Sequence, residues 1–243
     1  MEKKKVFFFD VETTGLDAWR NDIVQIAGCI EIDGEVKETF NWHCQPYNPG
    51  SIEQSALDVT GLTKEEIMEF DTPMSVYLKL TATMGRYVDK FDKKDKFYPA
   101  GYNVDFDMNF LRAFFKKSGD KYFGSWFNGI NLDPFHFFRL AKFSGQIDTE
   151  NLKLETMAKL FNIEIKAHDA LSDIEATRSL LKVALTVADT SLSCSQIADA
   201  LSSEPKNPWA GYLALMVSRG YSEHQVYKSI RLMKEKEEGE KDG

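Results

Sequence analysis

The sequence predicts an α/β fold: a mixed five-stranded sheet flanked by helices, with a small helical extension at the C-terminus. Three observations lead there. A short, bulky apolar run, Val6–Phe9, ends abruptly in charge at Asp10 and Glu12, the pattern of a buried central strand. Two β-branched stretches follow, joined by Asp33-Gly34, a strong hairpin signal. From residue 97 onward, strand-like runs alternate with helix-period stretches, which places helices on the faces of the sheet.

The elements follow in order. Strands are expected at 6–9, Ile23–Ile32 and Val36–Cys44, forming a meander. Pro46, Asn48, Pro49 and Gly50 break the chain before a short helix over Ser51–Leu57. Thr63 with Glu66 makes a capping box for the next helix, and Pro73 opens a longer one reaching about Phe91. Asp92–Lys96 reads as a solvated charged turn. A fourth strand is expected at Phe97–Gly101, and a helix at Asp105–Lys117 whose Phe106, Phe110, Leu111 and Phe114 share a core-facing stripe. Ile130–Leu132 is the expected fifth strand. Helices follow at Pro134–Lys142, Asn151–Phe161 and Ser172–Ala188.

After Asp189 the composition changes to a Ser-rich link and then to helical patterns at about 196–203, 209–219 and 223–236. Ser222 and Gln225 form a further capping box there. We therefore expect a main domain over 1–189 and a helical extension over 190–243.

The 243 residues suit one good-sized domain with an appendage, and 43% hydrophobic content supports a substantial core. A net charge of −8 argues against binding nucleic acid mainly through a broad basic surface. It leaves room for an enzyme that handles one strand end. Cys29, Cys44 and Cys194 are odd in number and widely spaced, so neither a zinc cage nor a disulfide framework is indicated. No apolar run approaches the roughly 20 residues that span a bilayer, so a soluble cytoplasmic protein with no membrane contact is expected.

Chemistry concentrates in three places. Asp10 and Glu12 are two apart in a strand, so both carboxylates point to one face. Two buried carboxylates side by side repel unless something positive sits between them, and a divalent metal is the economical explanation. Asp105 and Asp107 lie where a strand gives way to a helix. A cap needs only one, and we assign capping to Asp105 and the metal site to Asp107. His168 and Asp173 straddle the start of another helix, and with His168 in the loop both can face one cleft. Alone, His168 would read as an ordinary loop histidine, and Asp173 as a carboxylate favouring a helix N-terminus. Asp169, between them, is given a structural role.

Together these residues resemble a DEDDh-type 3′–5′ exonuclease of the ribonuclease H-like superfamily. The motifs occur in order: D-x-E-T-T-G at Asp10, Glu12, Thr13, Thr14 and Gly15; N-x-x-F-D at Asn103, Phe106 and Asp107; and H-x-A-x-x-D at His168, Ala170 and Asp173. The segment Val59–Thr63 with Glu66 is also similar to one common in the family, and the resemblance covers about residues 5–188. The T-T-G form most resembles the proofreading epsilon subunit of bacterial DNA polymerase III and its stand-alone relatives.

The resemblance implies two Mg²⁺ or Mn²⁺ ions held by Asp10, Glu12, Asp107 and Asp173. Asp10 would bridge them, Glu12 and Asp173 would serve the water-activating ion, and Asp107 the leaving-group ion. His168 would be the general base. Substrate contacts would come from Thr13, Thr14, Gly15, Leu16, Asn103 and Phe106, although core packing explains Phe106 at least as well. Tyr102 stands where relatives often carry histidine. The implied substrate is a single-stranded or frayed DNA 3′ end, cut to nucleoside 5′-monophosphates. The alternatives are an RNA-trimming exoribonuclease, like oligoribonuclease or RNase T, and a non-catalytic nucleic-acid or polymerase-binding module. The apolar stripe of 190–243, including Trp209, Tyr212 and Leu213, could pack on the catalytic domain or dock a DNA polymerase.

Overall fold

The computed structural model describes residues 3–166 and 169–188. Ala167, His168 and residues 189–243 lie outside the described residues, and so do Cys194 and the helices expected after 190. By its internal contacts the chain divides into two compact units, Met1–Ala184 and Leu185–Gly243.

The described sheet has four strands in the order β3-β2-β1-β4: β1 (Lys5–Thr13), β2 (Ile23–Ile32), β3 (Glu35–His43) and β4 (Tyr98–Ala100). The meander forms as expected. β1 runs antiparallel to β2, with Phe8 opposite Cys29 and Asp10 opposite Ala27, and β2 runs antiparallel to β3. The β2–β3 turn uses Asp33 at φ 52° and Gly34 at φ 88°, the pair of left-handed residues a tight hairpin requires. β4 lies parallel to β1 and ends at the Phe8–Ala100 pair.

The fifth strand is reduced to a single bridge. Leu132 pairs in parallel with Ala100, its N–H donating to Pro99 O at 2.8 Å. Asp133 and Pro134 then start a helix at once, which leaves no length for a ladder.

Seven α-helices complete the described residues: α1 (Gln54–Thr60), α2 (Lys64–Met68), α3 (Pro73–Met84), α4 (Asp105–Lys117), α5 (Pro134–Phe143), α6 (Leu154–Leu160) and α7 (Ala170–Ala188). Thr63 and Glu66 form the capping box of α2. α3 stops at Met84, short of the expected Phe91. Gly85 N–H turns back to Thr81 O, and Asp89 and Asp95 then bind loop amides with their side chains. Acidic side chains that satisfy local backbone in this way compete with helix propagation.

β1 is buried on both faces, which explains its continuous Phe run. Phe7 and Phe9 enter a core with α3 and α4 residues such as Leu80, Phe110 and Leu111. Val6 and Phe8 pack against Ile174 and Leu181 of α7. α7 is also tied to β2 by a buried ion pair between Arg178 and Glu31, with the guanidinium 5.7 Å from the Phe8 ring centroid. Gly28 sits where a side chain has no room: a Cβ there would lie 2.2 Å from Phe8 O. Cys29 and Cys44 are buried free thiols, and burial pushes both up to about 12. No described helix is long and apolar enough to cross a membrane.

Candidate active site

The site begins where the sheet comes apart. β1 and β4 stay paired only as far as Phe8 and Ala100. At Gly101 the chain turns away, so close to β1 that a Cβ would meet Val104 Cγ2 at 2.8 Å and Phe9 O at 3.0 Å. The second half of β1 therefore loses its neighbour on that side, and α4 enters the gap. Asp107, in the first turn of α4 and only 4% exposed, accepts the Val11 N–H at 3.1 Å. One carboxylate thus satisfies a strand amide that the diverging sheet leaves open.

The expected capping by Asp105 is not observed. The position before α4 is Val104, with no side-chain cap, and Asp105 accepts instead from Asn131 Nδ2 at 2.8 Å. Asp133, the N-cap of α5, instead holds the turn that leads into α4. Its carboxylate receives Asn103 N–H at 3.1 Å and Val104 N–H at 3.0 Å, and Phe135 N–H from its own helix at 2.9 Å. Asn103 is held in the left-handed region at φ 61°, a conformation asparagine tolerates better than most residues. Asp169 has its structural bonds, accepting from Leu171 and Ser172 N–H at 3.1 and 3.2 Å at the start of α7.

Asp10, Glu12, Asn103 and Asp173 line one cleft of about 770 Å³. Asp10 is driven from the ordinary 3.8 up to about 7, first by burial and then by the charges of Glu12 and Asp173. Asp107 is also held well above the carboxylate range, by burial and then by Asp10, against the lowering effect of the Val11 N–H. The four acids predicted from sequence therefore form one electrostatic group.

These acids offer hard oxygen donors, and a cation among them would offset the burial and then the repulsion that raise Asp10. Among the described residues no group of three or more His, Cys, Asp or Glu side chains is disposed to hold a metal ion by itself.

The other expected substrate residues divide. Thr14 is 1% exposed and structural, its hydroxyl accepting Asp22 N–H at 2.9 Å. Gly15 faces Asn21, whose Nδ2 would lie 2.4 Å from a Cβ, so packing alone demands glycine. Thr13 Oγ1 donates to Gly15 O at 2.7 Å. Leu16 is 83% exposed. Phe106 packs at the edge of the main core, with its ring 4.8 Å from that of Phe110. None of these five is among the residues lining the cleft. His168 lies outside the described residues. Tyr102 does line the cleft, with its hydroxyl donating to Leu152 O at 2.6 Å.

Sequence reasoning missed the opposite wall, which includes Phe135, Arg139, Lys142 and Lys153. The signal was present as i, i+4, i+7 spacing of Phe135, Arg139 and Lys142 on α5, one face of an otherwise apolar helix.

The fold defines a class first. It is similar to that of solved exonuclease I structures. One is the Escherichia coli enzyme in complex with a dT13 oligonucleotide, at TM-score 0.59 and 23% identity over 74% of this chain and 40% of that one. Another is a product-bound exonuclease I, at TM-score 0.63 and 22% identity over 76% of this chain and 44% of that one. The sequence then fixes the family. A sequence model described as "Exonuclease", of the RNase T type, matches residues 7–181, and the chain belongs to this family. Membership in this family supports the resemblance to DEDDh-type 3′–5′ exonucleases of the ribonuclease H-like superfamily. Among curated proteins it is 29% identical over 174 residues to the PolC-type DNA polymerase III of Bacillus cereus. It is 30% identical over 174 residues to that of Halalkalibacterium halodurans. Each match covers 71% of this chain but only 11% of the polymerase.

Proposed function

We propose that the protein removes nucleoside 5′-monophosphates from single-stranded or frayed DNA 3′ ends in a metal-dependent reaction, in a proofreading or repair setting. The observation that carries this is the convergence of Asp10, Glu12 and Asp173 on one cleft, with Asp107 coupled to Asp10. Asp10, Glu12, Asp107 and Asp173 would hold two divalent ions, Mg²⁺ or Mn²⁺, which when bound would supply an activated water and charge neutralisation at the leaving 3′ oxygen. His168 takes the proton of the attacking water, a role suited to an imidazole. Asn103, on the cleft wall, orients the strand end. Thr13, Thr14, Gly15 and Leu16 shape the terminal-nucleotide seat as a turn held from behind by Asn21 and Asp22. The polymerase relatives support DNA as the substrate and a DNA polymerase as a partner of 190–243, with 1–189 the catalytic domain.

The test is a 5′-labelled single-stranded DNA and a matched RNA, each incubated with Mg²⁺. Stepwise shortening of the DNA from its 3′ end, lost in Asp10→Ala, is the expected result. Faster loss of the RNA moves the assignment to an exoribonuclease. Absence of shortening, or an Asp10→Ala protein as fast as its parent, refutes the catalytic reading.

A further inference from the structure

α5 presents three parallel rows, which follow from its 3.6-residue period. Pro134, Phe138 and Ala141 are buried. Phe135, Arg139 and Lys142 face the catalytic cleft. His136, Leu140 and Phe143 form the outer row and line a second, largely apolar depression of about 590 Å³. The two hollows share Arg139, Lys142 and Leu152, so they adjoin across the α5 ridge.

The chemistry changes from one to the other in a definite order. At the bottom are the acids. Next come two cations engaged by groups other than carboxylates: Lys142 donates to the carbonyls of Thr149 and Glu150, and Arg139 lies over the Phe135 ring, 5.6 Å from its centroid. Both keep their charge available to an anion. On the rim are Phe143, 93% exposed, and Leu140, 70% exposed. Phe143 and Leu140 lie side by side and with the apolar depression form a contiguous exposed patch, the kind of surface that marks an interaction site. With the two cations beside it, this patch matches what single-stranded nucleic acid needs: positive groups that track phosphates, and an aromatic face on which a base stacks.

We propose, building on the exonuclease reading, that the α5 ridge is the track for the strand upstream of the nucleotide being removed. Arg139 and Lys142 contact the phosphates leaving the cleft, and Phe143 stacks one base a few nucleotides from the 3′ end. The occupant is single-stranded nucleic acid, because the depression adjoins the cleft and the cations they share are complementary to a phosphate backbone.

The experiment measures binding with metal chelated, so that no cleavage occurs. Anisotropy of 5′-fluorescein thymidylates of about 3 and about 12 nucleotides is followed for the full chain and for Phe143→Ser. Phe143 is solvent-exposed, so its loss leaves the fold intact. The expected result is binding of the longer oligomer weakened about tenfold or more, with the short one unchanged. Arg139→Gln should lower the salt dependence of the longer oligomer by about 0.7 in log–log slope, the value of one single-strand phosphate contact. In Phe143→Trp, the longer oligomer should quench the new indole and the short one should not. A Phe143→Ser protein that binds both lengths like its parent overturns the track, as does binding of the longer oligomer no tighter than the short one. The nuclease reading is judged separately, by shortening with Mg²⁺. A parent that cleaves yet ignores Phe143 keeps the nuclease and overturns the track. A parent that binds through Phe143 yet cleaves nothing does the reverse.

Discussion

Replacing Asp10 by Asn should stabilise the metal-free protein at neutral pH while abolishing its response to divalent cations. The folded site raises the Asp10 carboxyl from 3.8 to about 7. The group is thus more easily protonated when folded than when unfolded. Its contribution to stability is fully present below about pH 4 and lost as the pH rises through about 7. A shift of about 3 units corresponds to at most about 4 kcal/mol. Asp10 keeps some contact with solvent at the cleft, which reduces this to about 2 kcal/mol. For a chain of this size that is roughly 4–8 °C in Tm. Thermal melts in chelator near pH 5 and near pH 8, with and without Mg²⁺, make the comparison. The parent should lose stability between the two pH values in chelator and regain it with Mg²⁺ near pH 8. Asp10→Asn should show a smaller loss, melt higher than the parent near pH 8 in chelator, and gain little from the ion. An Asp10→Asn protein melting at or below the parent near pH 8 in chelator would refute the claim that the site stores carboxylate repulsion.

Other outcomes follow from features of the same fold. Arg178→Met leaves Glu31 buried without its guanidinium and should cost about 3–5 kcal/mol in urea unfolding; a loss below about 1 kcal/mol would contradict a buried pair. Gly28→Ala forces a methyl against Phe8 O and the Phe40 ring and should cost at least about 2 kcal/mol, measured by the same unfolding curves. His168→Ala should reduce the exonuclease rate by about 10²–10⁴ while Mg²⁺ still raises the Tm. The parent's rate should fall on acidification through the ordinary imidazole range near 6.5; a His168→Ala enzyme of parental rate would remove the base from the mechanism.

Much of this was legible because strong local signals coincide. The Phe run of β1, the Asp33-Gly34 turn and the Thr63–Glu66 box each have one physical solution, and each is found. Asp10 and Glu12 share a face because strand geometry leaves no choice. The misassigned details depend on tertiary partners. Asp105 has the local features of a cap, but it lies inside α4 and bonds Asn131, while Asp133 from another element holds the turn before the helix. The short run at 130–132 has strand composition, yet the helix start at Asp133 and Pro134 ends it after one bridge. At Gly15 packing against Asn21 alone requires glycine, a constraint that only the folded chain reveals. The cationic wall escaped notice because Arg139 and Lys142 belong to no motif, and only the folded helix shows them opposite the acids.

Asp133 joins parts of the protein that the sequence keeps thirty residues apart. By gripping the amides that precede α4 and the first amide of α5, it works as a rivet through the starts of both helices. One of those helices carries Asp107, and the other carries Arg139 and Phe143. With the Asn131–Asp105 hydrogen bond and the Leu132–Ala100 bridge beside it, the base of the α5 ridge is tied to the base of the helix that aims Asp107 at β1. The proposed strand track and the proposed ion site therefore rest on helices whose starts share one carboxylate.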